Sequence, residues 1–215
     1  MASNHQVKQG DCISSIAFEN GFFPDTIWNH PNNAQLKEKR KDPNVLMPGD
    51  MVFVPDKRIK EVSEPTNQVH KFRYKSTPAK LRIQFSDNDK PRANVPYKLT
   101  LDGKIVSNPG DRTNSNGLVV CSVSPDAREG ILELGEGDNK IEYKLALGYL
   151  NPVKEISGVK QRLRNLGFYG GKIDSTMDEE LKNSIQAFQS VNNLTATGEL
   201  NQETMNKLRN LHDGV

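Results

Sequence analysis

From Ala79 onward the apolar residues fall on alternate positions, Leu81, Ile83 and Phe85, then Val95, Tyr97, Leu99 and Leu101; from Val159 onward they recur every three or four. A period of two belongs to half-buried strands and a period near 3.6 to amphipathic helices, so the two stretches build separate cores. Before them, residues 57–78 hold Pro65, Pro78, serine and threonine with little apolar periodicity. That is the composition of a linker, with one strand expected around Phe72 to Tyr74. The expected architecture is multidomain α+β: residues 1–58 a small β-α-α-β module, 59–78 a linker, 79–151 a β-sandwich and 152–215 a three-helix domain. A hydrophobic content of 34% over 215 residues agrees, because small domains have more surface per volume to keep polar.

Local signals fill in each segment. The first predicts a strand from His5 to Gln9, a turn at Gly10, and a helix over Ser14 to Asn20 with Ile13, Ile16 and Ala17 on one face and Gly21 as its stop. Pro24 and Asp25 suit the first turn of a second helix reaching Trp28. Asn32 or Asn33 caps a third stretch, Ala34 to Arg40, ended by Pro43. In the middle segment Asp102-Gly103 and Asn116-Gly117 read as hairpin turns, with further strands at Leu118 to Val123, Ile131 to Leu134 and Lys140 to Leu147. In the last, three sets follow an i, i+4, i+7 spacing: Val159, Leu163 and Leu166; Leu181, Ile185 and Phe188; Thr204, Leu208 and Leu211. Ser157 and Asn201 read as N-caps, Gly167 and Gly198 as stops.

Charge names no partner. The 29 Lys and Arg balance 27 Asp and Glu to +2 and are spread through all segments, which argues against a nucleic-acid or membrane footprint. The start carries no signal-peptide pattern and no later run approaches a membrane span, so synthesis in the bacterial cytoplasm without membrane insertion is expected. Cys12 and Cys121 lie in different segments without metal-ligand spacing and read as reduced structural thiols. The four histidines are scattered, and there is no glycine-flanked serine elbow, so neither a catalytic set, a metal site nor a cofactor is expected. Glu179 and Glu180 are adjacent at a helix start, where negative charge suits the helix dipole.

Two resemblances point to a ligand. The order of His5-Gln-Val-Lys-Gln, Gly10-Asp11, Ile13-Ser-Ser-Ile-Ala17 and Pro48-Gly-Asp-Met-Val-Phe-Val-Pro55 resembles the LysM domain, whose family binds glycans containing N-acetylglucosamine, such as peptidoglycan and chitin. The resemblance implies a shallow groove between the loop Gly10, Asp11, Cys12 and Ile13 and the loop Trp28, Asn29, His30, Pro31 and Asn32. Cys12 stands where the family usually has threonine, a change that removes a hydroxyl and leaves the backbone donors. Trp28 has two open roles, core packing and sugar stacking. The long basic stretch Gln35-Leu-Lys-Glu-Lys-Arg-Lys41 reads as a solvated helix face.

At the other end, Val159-Lys-Gln-Arg-Leu-Arg-Asn-Leu-Gly167, Ile173-Asp174, Ile185-Gln-Ala-Phe188-Gln189 and Leu194-Thr-Ala-Thr-Gly198 resemble the three-helix peptidoglycan-binding domain of type 1. Tyr169, Asp174 and Gln189 are the ligand candidates there, each with a structural alternative. Ser175, Asp178 and Leu181 stand where that family usually has glycines and a threonine, a difference that bears on the groove more than on the fold. Between the two ends, Thr113-Asn-Ser-Asn-Gly-Leu-Val is similar to a turn of transthyretin-like sandwiches, an alternative to an immunoglobulin-like one.

Taken whole, the chain is similar to LysM and peptidoglycan-binding proteins associated with contractile, type VI-like secretion, a likeness carried by residues 36–49 and 146–152. It implies a non-enzymatic protein that binds wall glycan and is exported by the machine. The alternative is a structural adaptor in which these domains dock spike, tube or effector proteins. A third reading, a wall hydrolase using Asp87, Asp89, Asp102 or Asp111, competes with the ordinary role of loop aspartates as turn formers.

Overall fold

The computed structural model describes residues 2–58, 61, 63–71, 79–87 and 90–214; Asp89 and the strand expected around Phe72 to Tyr74 lie outside these. It is a mixed α+β chain with several small sheets and a C-terminal helical region. Backbone contacts divide it into two compact units, one running through Asn44 and including Pro48–Gly148, the other made of Val45–Met47 and Tyr149–Val215. The N-terminal segment and the β-rich segment thus share one unit.

The N-terminal segment runs β1 (Ser3–Gln6), α1 (Ile13–Asn20), α2 (Pro24–Trp28), a 3-10 turn (Pro31–Asn33), α3 (Ala34–Arg40) and β2 (Met51–Val54). β1 and β2 pair antiparallel from Ser3↔Val54 to Gln6↔Met51, so the strand begins and ends earlier than the sequence pattern indicates. The chain has turned by Asp11, whose N–H donates to the Lys8 carbonyl. Ile13, Ile16, Ala17, Ile27 and Val52 are fully buried. Gly21 ends α1 at φ 68°, a conformation that a side chain would strain.

Asn33 stands at the N-cap position of α3 as expected, but its side chain makes no capping bond. Its buried amide donates to the Ile27 and Phe53 carbonyls, both at 2.9 Å, and accepts the Phe53 N–H at 2.8 Å. One side chain therefore occupies the outer hydrogen-bonding positions of β2, where an adjacent strand would otherwise sit.

In the β-rich segment β3 (Ala79–Gln84) pairs with β8 (Leu118–Val123), and β4 (Ser86–Asp87) with β5 (Lys90–Pro91). β6 (Tyr97–Leu101), β7 (Lys104–Ile105), β9 (Glu129–Leu134) and β10 (Ile141–Ala146) form a four-stranded antiparallel sheet in the order β10-β9-β6-β7. Leu99, Leu101, Leu132 and Leu134 of the four-stranded sheet share a core with Val119 and Val123 of β8. The alternation reads straight into this packing, because every second residue of a strand faces the same side. Asp102 and Gly103 take φ of 45° and 76° and close the β6–β7 hairpin as expected. Asn116-Gly117 does not: β8 pairs with β3, and the turn serves to seat the Gly117 backbone against Phe85, where a Cβ would collide with the Phe85 carbonyl. Thr113 is buried and staples this region, its hydroxyl donating to the Arg92 carbonyl at 2.6 Å and accepting the Val95 N–H at 2.9 Å.

The C-terminal helices are α4 (Ile156–Asn165), α5 (Glu179–Val191) and α6 (Gln202–Asp213). Val159, Leu163, Leu181, Ile185, Phe188 and Leu208 form their core with Tyr169. Two expectations are corrected. Glu155, not Ser157, is the N-cap of α4; Ser157 lies inside the helix, accepting from Asn151 Nδ2 at 2.9 Å. Leu211 is 49% exposed, because α6 outruns the core that Thr204 and Leu208 fill. Gly158 packs so closely on the preceding backbone that a Cβ would collide with the carbonyls of Pro152 and Asn151. Arg162, almost fully buried, donates to the Asn151 and Gly158 carbonyls at 2.7 and 3.0 Å and pairs with Asp213 at 2.9 Å.

Candidate functional site

The loop after β1 is built by a capping box. Cys12 is the N-cap of α1: its Sγ accepts the Ser15 N–H at 3.4 Å, and the Ser15 hydroxyl accepts the Cys12 N–H at 3.0 Å. The Ile13 N–H donates to the Pro43 carbonyl at 2.9 Å, and Ser14 Oγ donates to Asn44 Oδ1 at 3.2 Å. The backbone donors expected to remain for a ligand at Asp11, Cys12 and Ile13 are thus engaged within the protein.

The same loop is covered from the β-rich segment. Arg128 donates through Nη1 to the Gly10 carbonyl and through Nη2 to Asp11 Oδ1 at 3.0 Å. Gly148 lies so close that a Cβ there would collide with the Gly10 carbonyl. Asp11 also accepts from the Lys8 N–H at 2.9 Å and sits 2.9 Å from His5 Nε2. Burial pushes the Asp11 carboxyl up, but the His5 and Lys8 hydrogen bonds and the Arg128 charge outweigh it and hold the carboxyl below its ordinary value. Gly10, Asp11 and Ile13 are all buried.

The second set of predicted residues is placed with other partners. Trp28 is buried at 7% exposure, with Lys37 Nζ 6.0 Å from its ring centroid, so core packing is its role here. Asn29 Oδ1 accepts from that same Lys37 at 2.6 Å. His30 stacks on Phe53 with ring centroids 4.7 Å apart, and its Nδ1 accepts the Asn32 N–H at 3.2 Å. Asn32 itself lines a cleft of about 390 Å³ between the start of α3 and the exposed face of β1 and β2. The neighbours of the first loop are Pro43 and Asn44, whereas Asn29, His30 and Asn32 gather toward Lys37 and Phe53.

In the C-terminal helices Tyr169 and Asp174 meet around Lys160, a fully buried ammonium on α4. Lys160 Nζ lies 2.8 Å from Asp174 Oδ1, 2.6 Å from Asp178 Oδ2 and 5.3 Å from the Tyr169 ring centroid. Burial disfavours the Lys160 ammonium, but both carboxylates and Tyr169 outweigh that cost and raise its pKa. Asp174 and Asp178 are lowered first of all by the hydrogen bond from Lys160. The Tyr169 hydroxyl donates to the Lys172 carbonyl at 2.9 Å. This cluster ties the loop between α4 and α5 to the core. Asp178, legible in sequence only as a replaced glycine, is also the N-cap of α5, accepting the Leu181 N–H at 2.7 Å.

Gln189 belongs to a separate set. It is fully buried, donates to Thr204 Oγ1 at 2.9 Å and the Glu199 carbonyl at 3.0 Å, and accepts the Gly198 N–H at 2.9 Å. Its amide locks the loop between α5 and α6 rather than opening to solvent. Lys160 carried a signal of its own, lying three residues before Leu163 on the same helix face. Arg128 carried none, since nothing local ties it to Asp11.

Among the described residues no three His, Cys, Asp or Glu side chains group as metal ligands, and no helix is long and apolar enough to cross a membrane. Asp102 accepts the N–H groups of Arg128 and Glu129 across the sheet, and Asp111 accepts that of Asn108 within a turn. Both cysteines are free, and burial followed by the Asp111 charge pushes the Cys121 thiol up, away from thiolate chemistry.

Against this geometry, residues 152–208 match the family model of the type 1 peptidoglycan binding domain, so the C-terminal helices are a domain of that class. The match begins at Pro152, whose carbonyl lies against Gly158, and ends at Leu208, the last core residue of α6. Neither a curated protein nor a solved structure matches the chain.

Proposed function

We propose that the protein binds bacterial cell-wall peptidoglycan without modifying it. The observation that carries this reading is the peptidoglycan binding domain at 152–208. A compact core and loops pinned by Lys160 and Gln189 support it, since a preorganised surface binds without first ordering its loops. The N-terminal residues 1–58 are read as a LysM module, supported by two antiparallel strands bracketing α1 and α2, and residues 79–151 as a β-sandwich of transthyretin-like or immunoglobulin-like kind. The test is co-sedimentation of the full chain with insoluble peptidoglycan, beside a chain ending at Gly148. Sedimentation of the full chain supports the reading, and its weakening in the shorter chain assigns binding to the C-terminal domain; a full chain that stays in the supernatant overturns it.

A second reading is favoured by the engagement of Gly10 and Asp11 with Arg128. A glycan loop turned into an intramolecular contact suits a structural adaptor, of the kind that would dock spike, tube or effector proteins of a contractile secretion system. Co-purification with such proteins, in the absence of wall binding, would select it.

A further inference from the structure

The first loop of the N-terminal segment is closed by Arg128 and Gly148, but the opposite side of that segment carries the cleft that Asn32 lines. The geometry points to this cleft as a binding site for a polyhydroxylated glycan strand, a reading that rests on the wall-glycan function proposed above. Its floor is apolar: Phe53 is half-buried and braced by the His30 ring, and Met51 is 51% exposed. Its rim is made of amides. Asn4 is the cross-strand partner of Phe53 and so shares its face of the sheet, while Asn32 and Gln35 stand exposed on the facing wall. Sugars present C–H faces and a fringe of hydroxyl and acetamido groups, and an apolar floor with an amide rim offers both kinds of contact.

Asp50, at 7% exposure, is held by Arg40 through bonds of 2.7 and 2.8 Å and by Lys39 at 3.3 Å, so its carboxylate is engaged within the protein and leaves the contacts of the cleft to its apolar floor and amide rim. The cleft is also preformed. Asn33 bonds the Phe53 backbone on both sides and fixes the wall against the floor. Its volume of about 390 Å³ lies in the range of small-ligand sites, roughly 300–1,000 Å³.

The experiment is a titration of the full chain, labelled with 13C at the methionine methyls, with a soluble N-acetylglucosamine tetramer. Met51 reports on the cleft and Met177 on the C-terminal unit. The expected result is a saturable shift of the Met51 methyl, weakened at least about tenfold in apparent affinity by Asn32→Ala with Gln35→Ala. Both positions are exposed, and unchanged signals from the other methionines verify that the variant is folded; Asn4→Ala is the second probe should they change. A still Met51 beside a moving Met177 overturns the cleft and leaves the wall-binding reading standing. A still Met51 with no moving signal also overturns it, and sedimentation with peptidoglycan then decides the wall-binding reading separately. A Met51 shift that survives the double variant assigns the signal to another surface and overturns the site as drawn.

Discussion

Arg128 Nη2 lies 3.0 Å from Asp11 Oδ1, joining residues 117 positions apart in the chain. The guanidinium also reaches the Gly10 carbonyl and stands 3.7 Å from Glu19. Replacing it removes the charge partner of a nearly buried carboxylate whose other hydrogen bonds stay in place. Arg128→Ala is expected to lower the unfolding free energy by about 1–3 kcal/mol, the scale of a charged hydrogen bond. It should also speed amide exchange across residues 8–13. Urea denaturation and hydrogen-deuterium exchange check both; an unchanged exchange rate in that loop would show that the contact does not hold it.

Asn33→Ala leaves the Phe53 N–H and carbonyl without their partner at a sheet edge and frees the Ile27 carbonyl. A loss of about 2–3 kcal/mol is expected from unpaired groups of this kind. Asn32→Ala, one residue away and exposed, is expected to change stability by no more than about 0.5 kcal/mol. Denaturant midpoints of the two variants give the comparison.

Gly158→Ala reverses the usual propensity rule. In an open helix alanine is favoured over glycine by about 1 kcal/mol, yet here the added Cβ meets the carbonyls of Pro152 and Asn151. A destabilisation of about 1–3 kcal/mol is expected from overpacking against backbone that cannot rotate away. Thermal unfolding distinguishes the two outcomes by sign.

The carboxylates of the C-terminal domain set its acid limit. Asp213 is pushed up by burial, but His212 and Arg162 more than reverse this, and Asp174 and Asp178 are lowered by Lys160. Groups whose folded pKa lies below the unfolded value of about 3.9 contribute fully above it, and their contribution is lost as the pH falls through the lower folded values. Lys160 has the opposite sign: its raised pKa stabilises below the unfolded value near 10.4 and is lost as the pH rises through the folded one. Lys160→Met is therefore expected to flatten the fall in stability below about pH 4. Urea midpoints measured from pH 2.5 to 7 check it, and an unaltered pH slope would remove the cluster from the account.

What the sequence disclosed follows the range of the interactions involved. Gly21 and Pro24 act within a turn of their own position, and α1 ends and α2 begins where they indicate. Strand alternation named Phe85, Leu99 and Leu101 as core because facing is decided residue by residue. The periodic set on α6 failed only at Leu211, where the helix continues beyond its partners. Asn33 looked like a cap because asparagine caps helices, and the competing demand, an unpaired strand edge 20 residues later, is invisible locally. The N-terminal loop illustrates the same limit. Its capping geometry is written in Cys12 and Ser15, but Arg128, which covers it, comes from a different part of the chain.

The amide of Asn33 has a consequence for how copies of this protein meet one another. A two-stranded sheet ordinarily presents an open ladder on each outer side, and such ladders recruit strands from neighbouring molecules. On the β2 side the ladder positions of Phe53 are already taken by a side chain tethered to the same chain. That tether acts at a fixed effective concentration however dilute the protein is, whereas a foreign strand competes only in proportion to its own concentration. On that side the sheet therefore stays at two strands over a wider range of concentration than an open ladder would allow, for as long as Asn33 holds its bonds.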